Sequence, residues 1–164
     1  MKKIIQFLLP VLLAFVSCTS TNDLLVFSRS DGSYMYHSIC GRTKGKDVEF
    51  LSADLTVNEK DGCLSDDMTV DYTLVCNGKA ENALTGFIAN GKKYELENQQ
   101  ILTKEIYKKS KLSVRITSSL EKKSAEELIH SGARISFFVK TDDFYEELNL
   151  PNMENSFEQL RIMF

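Results

Sequence analysis

The two histidines are the side chains of this sequence that most readily exchange protons near neutral pH. His37 directly follows a Tyr-Met-Tyr segment of strand character, where it could serve as an acid or base among phenols or be a half-exposed strand residue. His130 comes two residues before Gly132, in the last turn of a predicted helix, where a cation suits the helix dipole. Neither has a nearby sequence partner that would complete a nucleophile relay, so both are interpreted as structural and no catalytic residue is predicted.

Paired carboxylates are the second feature that could support acid–base or metal chemistry. They occur at Asp66-Asp67, Asp142-Asp143 and Glu146-Glu147. Adjacent acids on a strand point to opposite faces, so they rarely share one proton or one metal ion. The sequence also contains no Gly-rich phosphate loop, GxSxG, HExxH, EF-hand or CxxC pattern. We therefore expect no metal, no cofactor and no enzymatic activity, while an enzyme with an unrecognised motif remains an open alternative.

Charge is distributed unevenly along the second half of the chain. Six acids and no base fall between positions 142 and 158, namely Asp142, Asp143, Glu146, Glu147, Glu154 and Glu158. A basic segment comes earlier, with Lys104, Lys108, Lys109, Lys111 and Arg115. The two segments are either solvated surface or a pair of docking patches for charged partners.

The first 17 residues have the layout of a secretory signal. Lys2 and Lys3 precede an apolar run from position 4 to 16, and Ser17 supplies a small residue at a cleavage point. The run is shorter than the roughly 20 residues of a spanning helix and contains Pro10. We therefore predict a signal peptide at 1–17 rather than a permanent membrane anchor.

The sequence Phe15-Val16-Ser17-Cys18 resembles the lipobox of bacterial lipoprotein precursors, with Phe15 where Leu is usual. The resemblance implies that the Cys18 thiol receives a diacylglycerol, that the chain is cut before Cys18, and that acyl chains such as palmitate anchor it to the cell envelope. Thr19 after the Cys, rather than Asp, implies the outer membrane under the usual Gram-negative rule. Residues 18–23 are then the lipidated Cys and a polar tether.

Composition bounds what remains after cleavage. Without Lys2 and Lys3 the mature chain has 18 basic and 23 acidic residues, a net charge of −5. An acidic domain without a basic stripe is a poor nucleic-acid binder, and its membrane association should come from the lipid. Residues 24–164 suit a single globular domain.

Turn dipeptides divide the first half of this domain into strands. They are Asp31-Gly32, Asp61-Gly62, Asn77-Gly78 and Asn90-Gly91. Runs rich in β-branched and aromatic residues lie between them, at 24–27, 34–39, 48–57, 68–76, 83–89 and 92–96. The pattern predicts a meander of antiparallel strands.

The second half mixes strands with helices. Leu112, Val114 and Ile116 alternate with polar residues and predict a strand. Ser124 and Glu127 have capping-box spacing and predict a short helix that ends at Gly132. Strands at 133–139 and 144–150 follow. A stripe of Met153, Phe157, Leu160 and Phe164 predicts a C-terminal helix packed on the sheet. The predicted class is α+β, an antiparallel, sandwich-like β-rich domain.

This order of elements, with Thr73-Leu74-Val75-Cys76 and Leu112-Ser113-Val114-Arg115-Ile116 at its strands, resembles the type VI secretion-associated TagO/VasI family. The resemblance covers about the last ninety residues, in the pattern of elements rather than in identities. It implies an exported, β-rich accessory protein.

Three cysteines remain once Cys18 is acylated. The strands between them would hold Cys63 far from Cys76 and from Cys40, up to about 40 Å if extended, whereas a disulfide needs Cα atoms within about 7 Å. If 48–57 pairs antiparallel with 68–76, the end of the second strand returns near Cys40. We therefore predict a disulfide between Cys40 and Cys76, worth roughly 3–4 kcal/mol, with Cys63 as a free thiol.

Taken together, the sequence predicts a non-catalytic envelope lipoprotein that binds another envelope protein as an accessory or assembly factor. The alternative is a surface lipoprotein that inhibits a protease or a cell-wall hydrolase. The predicted loops at 40–46 and 98–111 would carry that inhibition.

Overall fold

The computed structural model describes residues 24–108 and 111–164. The first part of the chain forms β1 (Leu24–Ser28), β2 (Tyr34–Thr43), β3 (Val48–Lys60), β4 (Cys63–Leu64) and β5 (Met68–Cys76). A 3₁₀ turn at Ala80–Asn82 leads to β6 (Leu84–Ala89), β7 (Lys92–Glu95), β8 (Glu97–Ile106) and β9 (Leu112–Leu120). The chain ends with α1 (Lys122–His130), β10 (Ile135–Lys140), β11 (Tyr145–Leu148) and α2 (Met153–Met163).

The strands form two antiparallel sheets. The larger sheet has the order β1-β2-β3-β5-β9-β8, and β4 pairs with β3 beside this path. The smaller sheet has the order β11-β10-β6-β7. The chain therefore leaves the larger sheet after β5, builds one hairpin of the smaller sheet, and returns through β8 at the opposite edge from β1. The predicted α+β, β-rich class is confirmed.

Two of the predicted turns have the backbone that a two-residue hairpin requires. Asp61 and Gly62 have φ values of 55° and 78°, and Asn90 and Gly91 have 52° and 76°. Positive φ at both central residues matches the right-handed twist of the flanking strands. These turns set the register of β3 with β4 and of β6 with β7.

Aromatic side chains from both sheets and from α2 form the centre of the core. The Tyr72 ring of the larger sheet lies 5.7 Å from the Phe137 ring of the smaller sheet, measured between centroids. Phe87 contacts Phe137 at 5.3 Å and Phe157 of α2 at 5.8 Å, both edge to face. All four rings are buried, so the two layers and the helix share one apolar interior.

The C-terminal stripe packs as predicted. Met153, Phe157 and Leu160 are buried, and α2 lies against β2. Phe164, just beyond the helix, places its ring 5.8 Å from the ring of Tyr36. The core therefore extends to the side of the sheet where β1 and β2 lie.

Two local predictions need correction. Residues 98–111, predicted as a loop, include most of β8, a ten-residue strand. The first helix begins at Lys122, so Ser124 lies inside its first turn and makes no cap hydrogen bond; its hydroxyl lies 3.5 Å from Glu121 Oε2. An N-cap residue must precede the helix, and here Glu121 holds that position.

Candidate interaction surface

The β8 edge is the most exposed regular element of the described chain. We use this name for β8 together with Leu112, which pairs with Ile106. Every residue of β8 is exposed, including the apolar residues Ile101, Leu102 and Ile106, the last at 81 %. Large apolar side chains in an exposed row of this kind are typical of an interaction surface.

The register explains why these side chains are apolar. Ile101 pairs with Ile116 of β9, a buried residue on the inner face of the larger sheet. Ile106 pairs with Leu112, which shares that face with buried Val114. Because the smaller sheet and the helices leave all of β8 exposed beyond a contact at Gln99, the apolar inner face of the larger sheet continues into solvent here.

Polar contacts hold β8 in place at its two ends. Asn98 has a φ of 54° and donates from Nδ2 to Ser119 Oγ at 3.0 Å. Gln99 Nε2 lies 3.3 Å from both the Ala83 carbonyl and Thr85 Oγ1. Lys104 Nζ lies 3.7 Å from Glu81 Oε1. The strand is therefore positioned before any partner arrives.

A free strand edge carries unpaired N–H and C=O groups that can pair with an extended segment of another chain. The outward side of β8 has no neighbouring strand in the larger sheet. Lys104 and two register shifts in the β8–β9 pairing reduce indiscriminate pairing. The β8 edge therefore has the geometry for β-strand addition, in which backbone pairing gives affinity and the exposed side chains give selectivity.

The sequence places this surface in a predicted loop at 98–111, and the register shifts explain why a strand was not predicted there. They fall between Glu97 and Gln100 and between Ile101 and Thr103, and they break the two-residue alternation that reveals a strand. The remaining signal was the cluster of Ile101, Leu102 and Ile106 within a segment otherwise classed as loop.

The outer face of the larger sheet brings together polar residues from four strands. Asp54 of β3 and Asp71 of β5 lie directly opposite each other. Arg115 of β9 lies 3.2 Å from Asp54 Oδ2, and Oδ1 of Asp71 is inaccessible with no hydrogen-bond partner in the described structure. His37 Nδ1 lies 2.9 Å from Thr56 Oγ1 on this face. His37 is thus a half-buried strand residue paired with a hydroxyl.

The second histidine lies at a small cavity that the sequence did not predict. The cavity has a volume of about 180 Å³ and brings residues of the β3–β4 turn together with α1 and the C-terminus. Its lining consists of Gly62, Cys63, Leu64, Glu126, Ile129, His130 and Phe164. Nucleophilic catalysis needs the thiol and the base within hydrogen-bond reach, and no such bond joins Cys63 to His130 in the described structure.

The predicted disulfide between Cys40 and Cys76 is not made. Cys40, Cys63 and Cys76 are all free thiols in the structure. The expected pairing of β3 with β5 is present, and Val48 is indeed opposite Cys76. However, β2 pairs along β3, and Ile39 beside Cys40 lies opposite Asp54, well inside that strand. Two strand spacings and several residues therefore separate Cys40 from Cys76, on the order of 15 Å.

The thiols of Cys40 and Cys76 are buried and poorly reactive, whereas Cys63 is exposed. Burial raises the pKa of Cys40 to about 12, and a hydrogen bond from Ser156 opposes this only partly. Burial, reinforced by the negative charge of Glu81, raises the pKa of Cys76 to about 11. Both thiols are therefore protonated at neutral pH and poor nucleophiles.

Four residues of the charged segments form ion pairs within the molecule. Lys111 pairs with Glu49, Arg115 with Asp54, Lys104 with Glu81 and Arg134 with Glu154. Tyr145 donates from its hydroxyl to Glu147 at 2.8 Å. Among the six acids of the acidic segment, Glu154 alone forms an ion pair within the described residues, so a docking role for that segment stays a prediction.

Glu146 has a different role, because it holds the connection between β2 and β3. Its Oε1 accepts from the Lys46 N–H at 2.5 Å, and its Oε2 accepts from the N–H groups of Asp47 and Val48 at 3.1 and 3.0 Å. Gly45 approaches the same carboxylate so closely that a Cβ at position 45 would lie 2.1 Å from Oε1. Of the predicted loop at 40–46, only residues 44–46 lie outside the strands, and together with Asp47 they form a short connection that Glu146 holds in place.

Some of the predicted features lie in residues that the structure does not describe. Cys18, the signal peptide and the tether at 18–23 lie outside the described residues, as does Lys109. Within the described ranges, no set of three or more His, Cys, Asp or Glu residues is placed to hold a metal ion. In the same ranges, no helix is long and apolar enough to cross a membrane.

No protein-family model, curated protein or solved structure matches the chain. The resemblance to lipoprotein precursors at Cys18 and the resemblance to the TagO/VasI family stay predictions.

Proposed function

We propose that this protein is a non-catalytic envelope lipoprotein, anchored through an acylated Cys18, that binds another envelope protein by strand addition at the β8 edge. The observation that carries the proposal is a ten-residue strand at the margin of the larger sheet, exposed along its whole length. Its apolar residues lie along an edge that no further strand of the described sheet covers, the combination that strand addition uses. The proposed role is that of an accessory or assembly factor.

Affinity capture with matched variants tests this proposal. The full-length protein would be expressed in its host with a C-terminal tag, as wild type, as an Ile101→Lys/Ile106→Lys variant and as an Ile162→Lys control. Ile162 is 75 % exposed on α2, away from the β8 edge. We expect one envelope protein to be recovered with wild type and control, and at least tenfold less with the β8 variant. Equal recovery with all three would overturn the assignment of the surface.

The second candidate is an inhibitor of a protease, favoured by the clamped loop at 44–47. Lys44 and Lys46 are exposed on a segment whose backbone Glu146 already orders. A pre-ordered loop loses little entropy on binding, and a lysine on it fits a protease with an acidic specificity pocket. An inhibition panel at micromolar concentration, with Lys44→Ala and Lys46→Ala variants, tests this candidate. Absence of inhibition of trypsin-like proteases would eliminate it.

A further inference from the structure

The β1 edge, on the opposite side of the larger sheet from β8, is apolar on both faces. We use this name for β1 together with Tyr34 and Ile39 of β2. Leu25 and Val26 are each 50 % exposed and Phe27 is 47 % exposed. Leu25 and Phe27 lie on the outer face with His37 and Met35, whereas Val26 shares the inner face with Tyr36. Both sides of this strand therefore present apolar surface to solvent.

The apolar surface extends beyond β1 itself. Ile39 is exposed on the outer face, and Tyr34 is exposed on the inner face beside the ring of Tyr36. Phe164 contacts Tyr36, which brings the C-terminal end of α2 to the same side of the molecule. The result is a patch built from three elements.

The strand residues of the β1 edge carry no charged side chain; Arg29, which directly follows β1, places its Nη2 3.6 Å from Met35 Sδ. Residues 24–28 and 34–40 contain no Asp, Glu, Lys or Arg, whereas β8 contains Glu97, Lys104 and Glu105. Edge strands that meet water are commonly protected by charged residues, Lys above all. An exposed edge strand without charged residues is suited to contact with an apolar environment rather than with a polar protein surface.

The short tether between Cys18 and β1 indicates that this apolar environment is the membrane. Six residue steps separate Cys18 from Leu24, and a fully extended chain of that length spans at most about 22 Å. If Cys18 carries acyl chains in a bilayer, β1 is held within that distance of the membrane surface. The β8 edge lies five strand spacings away across the sheet, about 24 Å.

We propose that the β1 edge lies against the lipid bilayer, with Leu25, Val26 and Phe27 in contact with the interfacial region. The inference rests on the proposed acylation of Cys18. Apolar contact rather than charge holds the surface there, because the mature chain has a net charge of −5. The domain is thereby oriented with the β8 edge directed away from the membrane and open to a protein partner.

The absence of tryptophan from the sequence allows a direct test. A Phe27→Trp variant of the full-length, membrane-extracted protein would be reconstituted in phosphatidylcholine vesicles with and without bromine on the acyl chains. An Ile106→Trp variant on the β8 edge is the matched control, and Leu25→Trp is a second probe if Phe27→Trp folds poorly. Intact mass of each sample reports acylation at Cys18.

We expect bromolipid to quench the Phe27→Trp fluorescence at least threefold more than that of Ile106→Trp, and aqueous iodide to show the reverse order. Equal quenching of both variants in an acylated sample would overturn the membrane contact and leave the anchor intact. A blue-shifted Phe27→Trp emission without bromine quenching, with a dimer mass by light scattering, would assign the edge to a second copy and also overturn it. An unmodified Cys18 would overturn both the anchor and this inference.

Discussion

Glu146 joins the smaller sheet to the connection between β2 and β3 by accepting three backbone N–H groups. Charge-assisted hydrogen bonds of this kind are shorter and stronger than neutral ones. A buried or half-buried N–H group left without its acceptor lowers the stability of the folded protein. The residue thus connects positions about one hundred apart in the sequence. Its neighbour Glu147 is exposed and accepts a hydrogen bond from the Tyr145 hydroxyl.

We predict that Glu146→Gln lowers the free energy of unfolding by about 1–3 kcal/mol, because an amide cannot present two charged acceptors to residues 46–48. Urea unfolding followed by circular dichroism measures the change. Glu147→Gln is the control and should change stability by less than about 0.5 kcal/mol. A similar loss in both variants would show that the carboxylate of Glu146 has no special role.

The cysteines give a second residue-scale prediction. A thiol with a pKa of about 12 is less than about one part in a thousand thiolate at pH 8, and burial also keeps the reagent away. We therefore expect iodoacetamide at pH 8 to alkylate Cys63 in the native protein, and Cys40 and Cys76 only after unfolding in urea without reductant. Mass spectrometry of peptides reads the result. If Cys40 and Cys76 stay unlabelled in urea until reductant is added, the two residues form the disulfide that the sequence predicted.

At the scale of elements, α2 connects the apolar stripe of the sequence to the centre of the core. Phe157 is buried against Phe87, whereas Ile162 on the same helix is largely exposed. We predict that Phe157→Ala costs about 3–5 kcal/mol of unfolding free energy, because it removes an aromatic ring and leaves a cavity. Ile162→Ala on the same helix should cost less than about 0.5 kcal/mol. Thermal or urea unfolding compares the two, and equal losses would show that α2 does not pack through its predicted stripe.

The elements that could be predicted are those with a strong local signal. The Asp61-Gly62 and Asn90-Gly91 turns define their hairpins because both central residues adopt positive φ. The stripe of α2 and the alternation in β9 gave those elements and their buried faces. The strand β8 was missed, since its two register shifts break the alternation and its residues are exposed on both faces.

Long-range arrangement was harder to predict than the elements themselves. The pairing of β3 with β5 followed from the sequence, but the position of β2 along β3 did not, and the predicted disulfide failed for that reason. The connection from β7 directly into β8, which moves the chain from one sheet to the other through buried Leu96, has no sequence signature. The Cys63–His130 cavity likewise depends on tertiary packing of α1 against the β3–β4 turn.

At the scale of the whole molecule, the larger sheet separates two exposed edges of different chemistry. The β1 edge is uncharged and close in sequence to Cys18, whereas the β8 edge combines apolar residues with Lys104 and Glu105. An anchored domain with this arrangement would present the β8 edge to other envelope proteins. The rigid core between the edges fixes their separation.

Photo-crosslinking in intact cells tests this account most directly. p-Benzoylphenylalanine would replace Ile106 on the β8 edge, Phe27 on the β1 edge or Ile162 on α2 in the full-length protein, and irradiated samples would be separated under denaturing conditions. We predict a discrete protein adduct from position 106 and none from positions 27 and 162. A protein adduct from position 27 or 162, with none from position 106, would contradict the assignment of the β8 edge as the binding surface.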